Sequence, residues 1–111
     1  MYANEFDATM QLIRGKWKIH ILYKINSDPH TRFNALQRNL SPITHKILSE
    51  QIQQMINDGL VNRHDFHEQP LHIEYNLTTK GKSLIPVVDA ICDWGLANID
   101  SSELKQTLCD K

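Results

Sequence analysis

The sequence predicts a mostly helical α+β fold in a single domain, residues 1–111, and three observations predict it. Apolar residues recur at helical intervals in five separate stretches. One stretch alternates instead, Ile73, Tyr75 and Leu77 against His72, Glu74 and Asn76, which is the period of a half-buried strand. The stops Ser41-Pro42, Asp58-Gly59 and Gln69-Pro70 divide these stretches. Between Arg32 and Gly81 the resulting order is short helix, turn, amphipathic helix, two-stranded hairpin and helix. That is the plan of a winged helix-turn-helix, followed here by a long C-terminal helix suited to dimerisation.

Each element has its own warrant. Tyr2, Phe6, Met10 and Ile13 form one stripe of an N-terminal helix that Arg14-Gly15 breaks. The second helix, 16–26, sets Trp17, Ile21, Leu22 and Ile25 on one face, with Lys18 and Lys24 off it. Ser27-Asp28-Pro29 ends it, because proline lacks a donor and restricts its predecessor. Phe33, Leu36 and Leu40 are the apolar face of the short third helix. Thr44 reads as the N-cap of the fourth, without a capping box because residue 47 is Ile. Ile47, Leu48, Ile52, Met55 and Ile56 read as its buried face, opposite Lys46, Glu50, Gln53 and Asn57, with Ser49 on the flank. Asp58-Gly59 stops it. Strands are expected over 61–67 and 72–77 around a tip that tolerates Pro70. Thr78 caps the last long helix, along which lie Leu84, Val87, Val88, Ile91, Trp94 and Leu96, with a kink expected at Pro86. Residues 101–108 are expected to add a final helical turn.

Composition narrows the function. The chain is 41% hydrophobic and 23% charged, ordinary for a globular protein. No apolar run approaches the roughly 20 residues that span a bilayer, so no membrane partner is expected. Glu5 and Asp7 near the N-terminus and the missing apolar core argue against a secretory signal. Cys92 and Cys109 do not make a disulfide framework; Cys92 reads as a small hydrophobe of the last helix and Cys109 as exposed. A cytoplasmic location fits. The net charge is −1, yet residues 14–46 carry seven basic side chains against Asp28, a net of +6. Residues 84–111 carry a net of −3. A local basic surface steers nucleic acid even where the total charge is near zero.

Several motifs carry competing readings. The fourth helix either presents its N-terminal half to a major groove or is an ordinary helix with a solvated outer face. In the first case Thr44 and the helix N-terminus favour a phosphate, and His45, Lys46, Ser49 and Gln53 reach base edges. The wing holds Arg63 against Asp65, Glu68 and Glu74, a net of −2. Protonating His64, His67 and His72 would reverse that sign and raise DNA affinity as pH falls; the preferred, plainer reading leaves the wing clear of DNA. His64-x-x-His67 does not place both rings on one strand face, so no metal site is expected. There is no P-loop, no G-x-S-x-G, no H-E-x-x-H and no dinucleotide loop, so neither an enzyme nor a cofactor is indicated. Tyr2, Phe6, Met10, Val88, Ile91 and Trp94 exceed what a small core buries easily and suggest a two-fold dimer interface. A cleft near Trp17, Tyr23 or Trp94 would suit an unidentified apolar small-molecule effector, although such aromatics are more often plain core.

The chain also resembles a known family. Gly15-Lys16-Trp17 with Ile21-Leu22, Arg32-Phe33-x-x-Leu36 and Ile43-Thr44-x-x-x-Leu48 resemble HxlR-type winged-helix regulators, relatives of the MarR group. So do Asp58-Gly59-Leu60-Val61-x-Arg63, Glu74-Tyr75-x-Leu77-Thr78-x-x-Gly81 and Asp93-Trp94. The resemblance runs in order over about residues 4–96. It implies a bacterial transcriptional regulator that binds operator DNA as a homodimer through its first and last helices. It implies a signal input in some members, often a cysteine just before the first helix; here that position holds Asn4. With the resemblance, the DNA reading of the fourth helix prevails. Lys16, Lys18, Arg32, Arg38 and Arg63 are expected on phosphates, and His45, Lys46, Ser49 and Gln53 on bases of a pseudo-palindrome. The alternative is a winged-helix module that binds protein without specific DNA binding.

Overall fold

Capping side chains start three of the five helices in the computed structural model, which describes residues 1–104. Helix α1 (Glu5–Ile13) begins at Asn4, whose side chain accepts from the Asp7 amide at 2.8 Å. Asn4, at the position where the resemblance implies a cysteine in some members, is thus a helix cap. Helix α2 (Lys18–Ser27) and α3 (Phe33–Asn39) start without a side-chain cap. Helix α4 (His45–Asn57) starts at Thr44, whose hydroxyl accepts from the Ile47 amide at 3.1 Å. Strands β1 (Val61–Asp65) and β2 (Ile73–Leu77) form an antiparallel hairpin, and α5 (Thr79–Asn98) starts at Thr78, which accepts from the Gly81 amide. A short 3-10 turn (Ser101–Glu103) follows; residues 105–108 of the expected final turn lie outside the described residues.

The core is where these elements meet. Ile21, Leu22 and Ile25 of α2 pack with Leu36 of α3, Leu48, Ile52 and Met55 of α4, Tyr75 and Leu77 of β2, and Leu84 and Val88 of α5. Leu40 and Ile43, at either end of the turn between α3 and α4, are buried in the same cluster and fix how the two helices cross. The end of α4 follows from Gly59 at φ 78°: its amide and that of Leu60 return to the Ile56 and Met55 carbonyls, the pattern a left-handed glycine permits. Tyr23 joins α2 to α5 by donating its hydroxyl to Asp89 at 2.5 Å. Burial first, then that bond and the charges of Asp89 and Asp93, push the phenol far above its usual range.

Four expectations are corrected. Val88, expected at a dimer interface, is fully buried in the core of the chain itself. Ile47, expected inside, is exposed, because Leu48, Ile52 and Met55, with half-buried Ile56 beside them, define the inward stripe of α4. Both strands are shorter than expected, since the Phe66 amide closes the tip on the His72 carbonyl and His67 turns the chain at φ 56°. Cys92 is half-buried and is not a free thiol, while Cys109 lies outside the described residues. Helix α5 continues through Pro86, which sits on an exposed face. No helix of the described residues is long and apolar enough to cross a membrane.

Candidate nucleic-acid interface

Helices α3 and α4 and the inner face of the hairpin enclose an open groove of about 670 Å³. Its arginines come from two elements: Arg32 at the N-cap of α3, Arg38 in its last turn and Arg63 on β1. His45, Ser49 and Gln53 line it from α4, with Ile73 and Tyr75 opposite on β2. No Asp or Glu is among the lining residues. Three guanidiniums without a carboxylate leave a strongly positive recess, and a guanidinium fork matches phosphate geometry. Such a recess favours a polyanion.

Local contacts set the side chains. The His45 ring packs against Phe33, with centroids 4.6 Å apart and planes tilted by 48°. The first residue of α3 thereby orients the first residue of α4. Gln53 donates to Asn57 Oδ1 at 3.0 Å along the exposed ridge of α4. Arg32 Nη2 lies 3.5 Å from the Leu71 carbonyl, which joins α3 to the wing tip. Thr44 spends its hydroxyl on the Ile47 amide, so any anion at this helix end meets backbone N–H groups rather than the side chain alone.

Six of the ten residues expected to touch DNA line one groove: Arg32, Arg38, His45, Ser49, Gln53 and Arg63. Thr44, Lys46 and Lys16 are exposed but outside its lining; Lys16 lies over the Trp17 ring at 5.0 Å. Lys18, also expected on phosphate, donates to the Gln11 carbonyl at 3.3 Å and is half-buried against α1. Asn34 was missed. It shares a face of α3 with Arg38 at four-residue spacing, which is the signal that finds it.

The outer face of the hairpin is different. His64 stands opposite Glu74, and Phe66 lies between the His64 and His72 rings, 4.3 Å from each. His72 Nε2 is 2.7 Å from Glu74 Oε2, and His30 Nδ1 is 2.8 Å from Glu74 Oε1. His30 played no part in the sequence reading. Among the described residues no three His, Cys, Asp or Glu side chains converge on a metal position.

Comparisons with known proteins bear on the family and the fold. The family described as HxlR-like helix-turn-helix matches residues 12–103. The HTH-type transcriptional regulator YdzF of Bacillus subtilis is 42% identical over 92 residues, 83% of this chain and 84% of that one. The reduced form of the redox regulator HypR superposes with a TM-score of 0.82 at 34% identity, covering 90% of this chain and 98% of its own. A protein of Porphyromonas gingivalis W83 assigned to the MarR family has a TM-score of 0.78 at 29% identity, covering 87% and 94%.

Proposed function

Since the chain belongs to the HxlR-like helix-turn-helix family of transcriptional regulators, we propose that it binds operator DNA sequence-specifically, as a homodimer on a pseudo-palindrome. The acid-free groove carries this reading. Arg32, Arg38 and Arg63 hold phosphates on both sides of α4, while His45, Lys46, Ser49 and Gln53 meet base edges and Thr44 ends the helix near the backbone. Lys16 adds charge from outside the groove.

The dimer reading rests on α5. Leu84 and Val88 point inward, while Val87, Ile91 and Trp94, at intervals of four and three, are 45%, 48% and 63% exposed. A helix apolar on two faces has one face left for a partner. Tyr2 and Phe6 of α1 and its approach are exposed as well, and Met10 is half-buried. A second copy joined here would set two α4 helices about 34–36 Å apart, one turn of duplex. Such a regulator works in the bacterial cytoplasm, where the DNA lies. A pure protein-interaction module needs no acid-free arginine groove. Selection from a random duplex pool tests the proposal: an enriched motif with inverted half-sites is expected. Failure to enrich any motif, with salt-insensitive retention, would favour the protein-binding alternative.

A further inference from the structure

We propose that His30, Glu74 and His72 form a proton-operated latch that fixes the wing and Arg32 across the groove and so regulates DNA binding by pH. The regulatory part rests on the DNA reading above. Glu74 lies on the face of β2 opposite Ile73 and Tyr75, behind the groove they line. Its side chain is 14% exposed, and each carboxylate oxygen meets a different ring: Oε1 to His30 Nδ1 at 2.8 Å, Oε2 to His72 Nε2 at 2.7 Å. The other nitrogen of His72 lies 3.5 Å from Glu68 Oε2. A neutral imidazole carries one N–H and one lone pair. His72 is thus set between two carboxylates, Glu74 and Glu68.

The latch joins two parts of the groove wall. His30 belongs to the segment between α2 and α3, where its amide donates to Asp28 Oδ1 at 2.9 Å. The next residue, Thr31, accepts from the Tyr75 amide at 2.8 Å, and Arg32 follows with its contact to Leu71. Holding His30 on Glu74 therefore holds Arg32 against the wing. The surroundings are acidic: Asp28 on the segment and Glu68 at the tip face the rings, with His64 opposite Glu74 on β1 and Arg32 the nearby cation. The hydrogen bond that His30 donates to Glu74, then the charge of that carboxylate, raises His30 above the ordinary histidine value. Hydrogen bonds from His30 and His72 lower Glu74 below the usual carboxylate value. The attraction is thus complete below the ordinary value near 6.5 and fades as pH rises through the raised value of His30. It also fades below the depressed value of Glu74. Across mild acidity the latch is closed.

Two measurements on the full chain test this. Ring-proton NMR without DNA should show His30 titrating above its ordinary value, and Glu74→Gln should return it to that value. Fluorescence anisotropy on a fixed mixed-sequence duplex, at constant ionic strength, should show affinity rising about threefold to tenfold from about pH 8 to pH 6, the span of one coupled proton. Glu74→Gln and His30→Gln should both flatten that rise. Any contribution from His45 is common to all three proteins and cancels in the comparison. His30 is exposed, so His30→Gln serves if Glu74→Gln disrupts the hairpin. An ordinary His30 titration in the wild type overturns the latch. Equal pH profiles in wild type and His30→Gln overturn its coupling to the groove. No binding at any pH removes the DNA reading and the regulation with it, while the NMR titration still decides whether the latch exists.

Discussion

Arg38→Ala should change the salt dependence of DNA binding by a predictable amount. Each protomer offers three groove guanidiniums, Arg32, Arg38 and Arg63, with no lining carboxylate to neutralise them. If each holds one phosphate, a dimer holds about six, and log affinity falls against log salt with a slope of about −5.4. From about 50 to 200 mM salt that is a loss of roughly 2,000-fold. Arg38→Ala removes one contact per protomer, so the slope falls to about −3.6 and the loss to roughly 150-fold. Lys16 and Lys46 steepen the absolute slope but leave the difference of about 1.8 intact. Anisotropy titrations on one duplex at several salt concentrations read the slope directly. Lys24→Ala, an exposed cation outside the groove, is the control and should not move it. A change of about 0.9 would mean that one protomer docks at a time. An unchanged slope would refute the assignment of this groove to the phosphate backbone.

Three further outcomes follow from the packing. Gly81→Ala puts a Cβ 2.2 Å from the Leu60 carbonyl oxygen, a backbone atom that cannot swing away. The strain of about 3 kcal/mol exceeds the ~1 kcal/mol alanine gains in a helix, so the midpoint of thermal unfolding should fall by roughly 8–16 °C; an unchanged midpoint would contradict the close approach. Thr44→Ala removes the N-cap of α4 and should cost about 1 kcal/mol in urea unfolding without DNA; equal stability would show that the cap is idle. Trp94→Asp exposes nothing new in the protomer but removes about 2 kcal/mol from each side of a two-fold interface, raising the dimer dissociation constant several hundredfold or more by sedimentation, roughly. Far-UV dichroism should be unchanged, and a dimer that persists at wild-type affinity would place the interface elsewhere.

The sequence made the local signals legible and hid the tertiary ones. Thr44, Gly59 and Thr78 each act on a neighbour within a few residues, so their capping roles can be read from the chain alone. His30 and Glu74 stand 44 residues apart, and nothing in either neighbourhood announces the other. The pairing of Thr31 with Tyr75 is hidden for the same reason. In α5 the apolar residues surround the helix, so periodicity could not say which face turns inward; Val88 went to the core and Val87 to the surface. Lys18 shows the limit of charge counting, because a lysine near the basic block spends its ammonium on an α1 carbonyl. The groove was partly legible: the residues of α4 were found by face, while the meeting of Arg32, Arg38 and Arg63 required the hairpin to fold back beside α3.

The joint between α4 and α5 bears on how such a molecule is regulated. The last carbonyls of one helix and the first amides of another normally need separate partners. Here the Asp58, Gly59 and Leu60 amides close the end of α4, and the carbonyls of the same three residues bond to the start of α5. The Leu60 carbonyl accepts from the Thr78 amide, the Gly59 carbonyl from the Thr78 hydroxyl at 2.6 Å, and the Asp58 carbonyl from Lys80 Nζ at 2.7 Å. Thr78 completes the chain by accepting from Gly81, whose missing side chain lets α5 approach Leu60. Lys80 also brings a cation to the negative end of α4. A rotation of α5 cannot leave α4 in place without breaking several of these bonds. In the proposed dimer α5 carries the partner contacts, so the pairing of the two α5 helices sets the separation of the two α4 helices. In that proposal a signal that alters dimer packing would reach α4 through this joint. It does not need to enter the arginine groove.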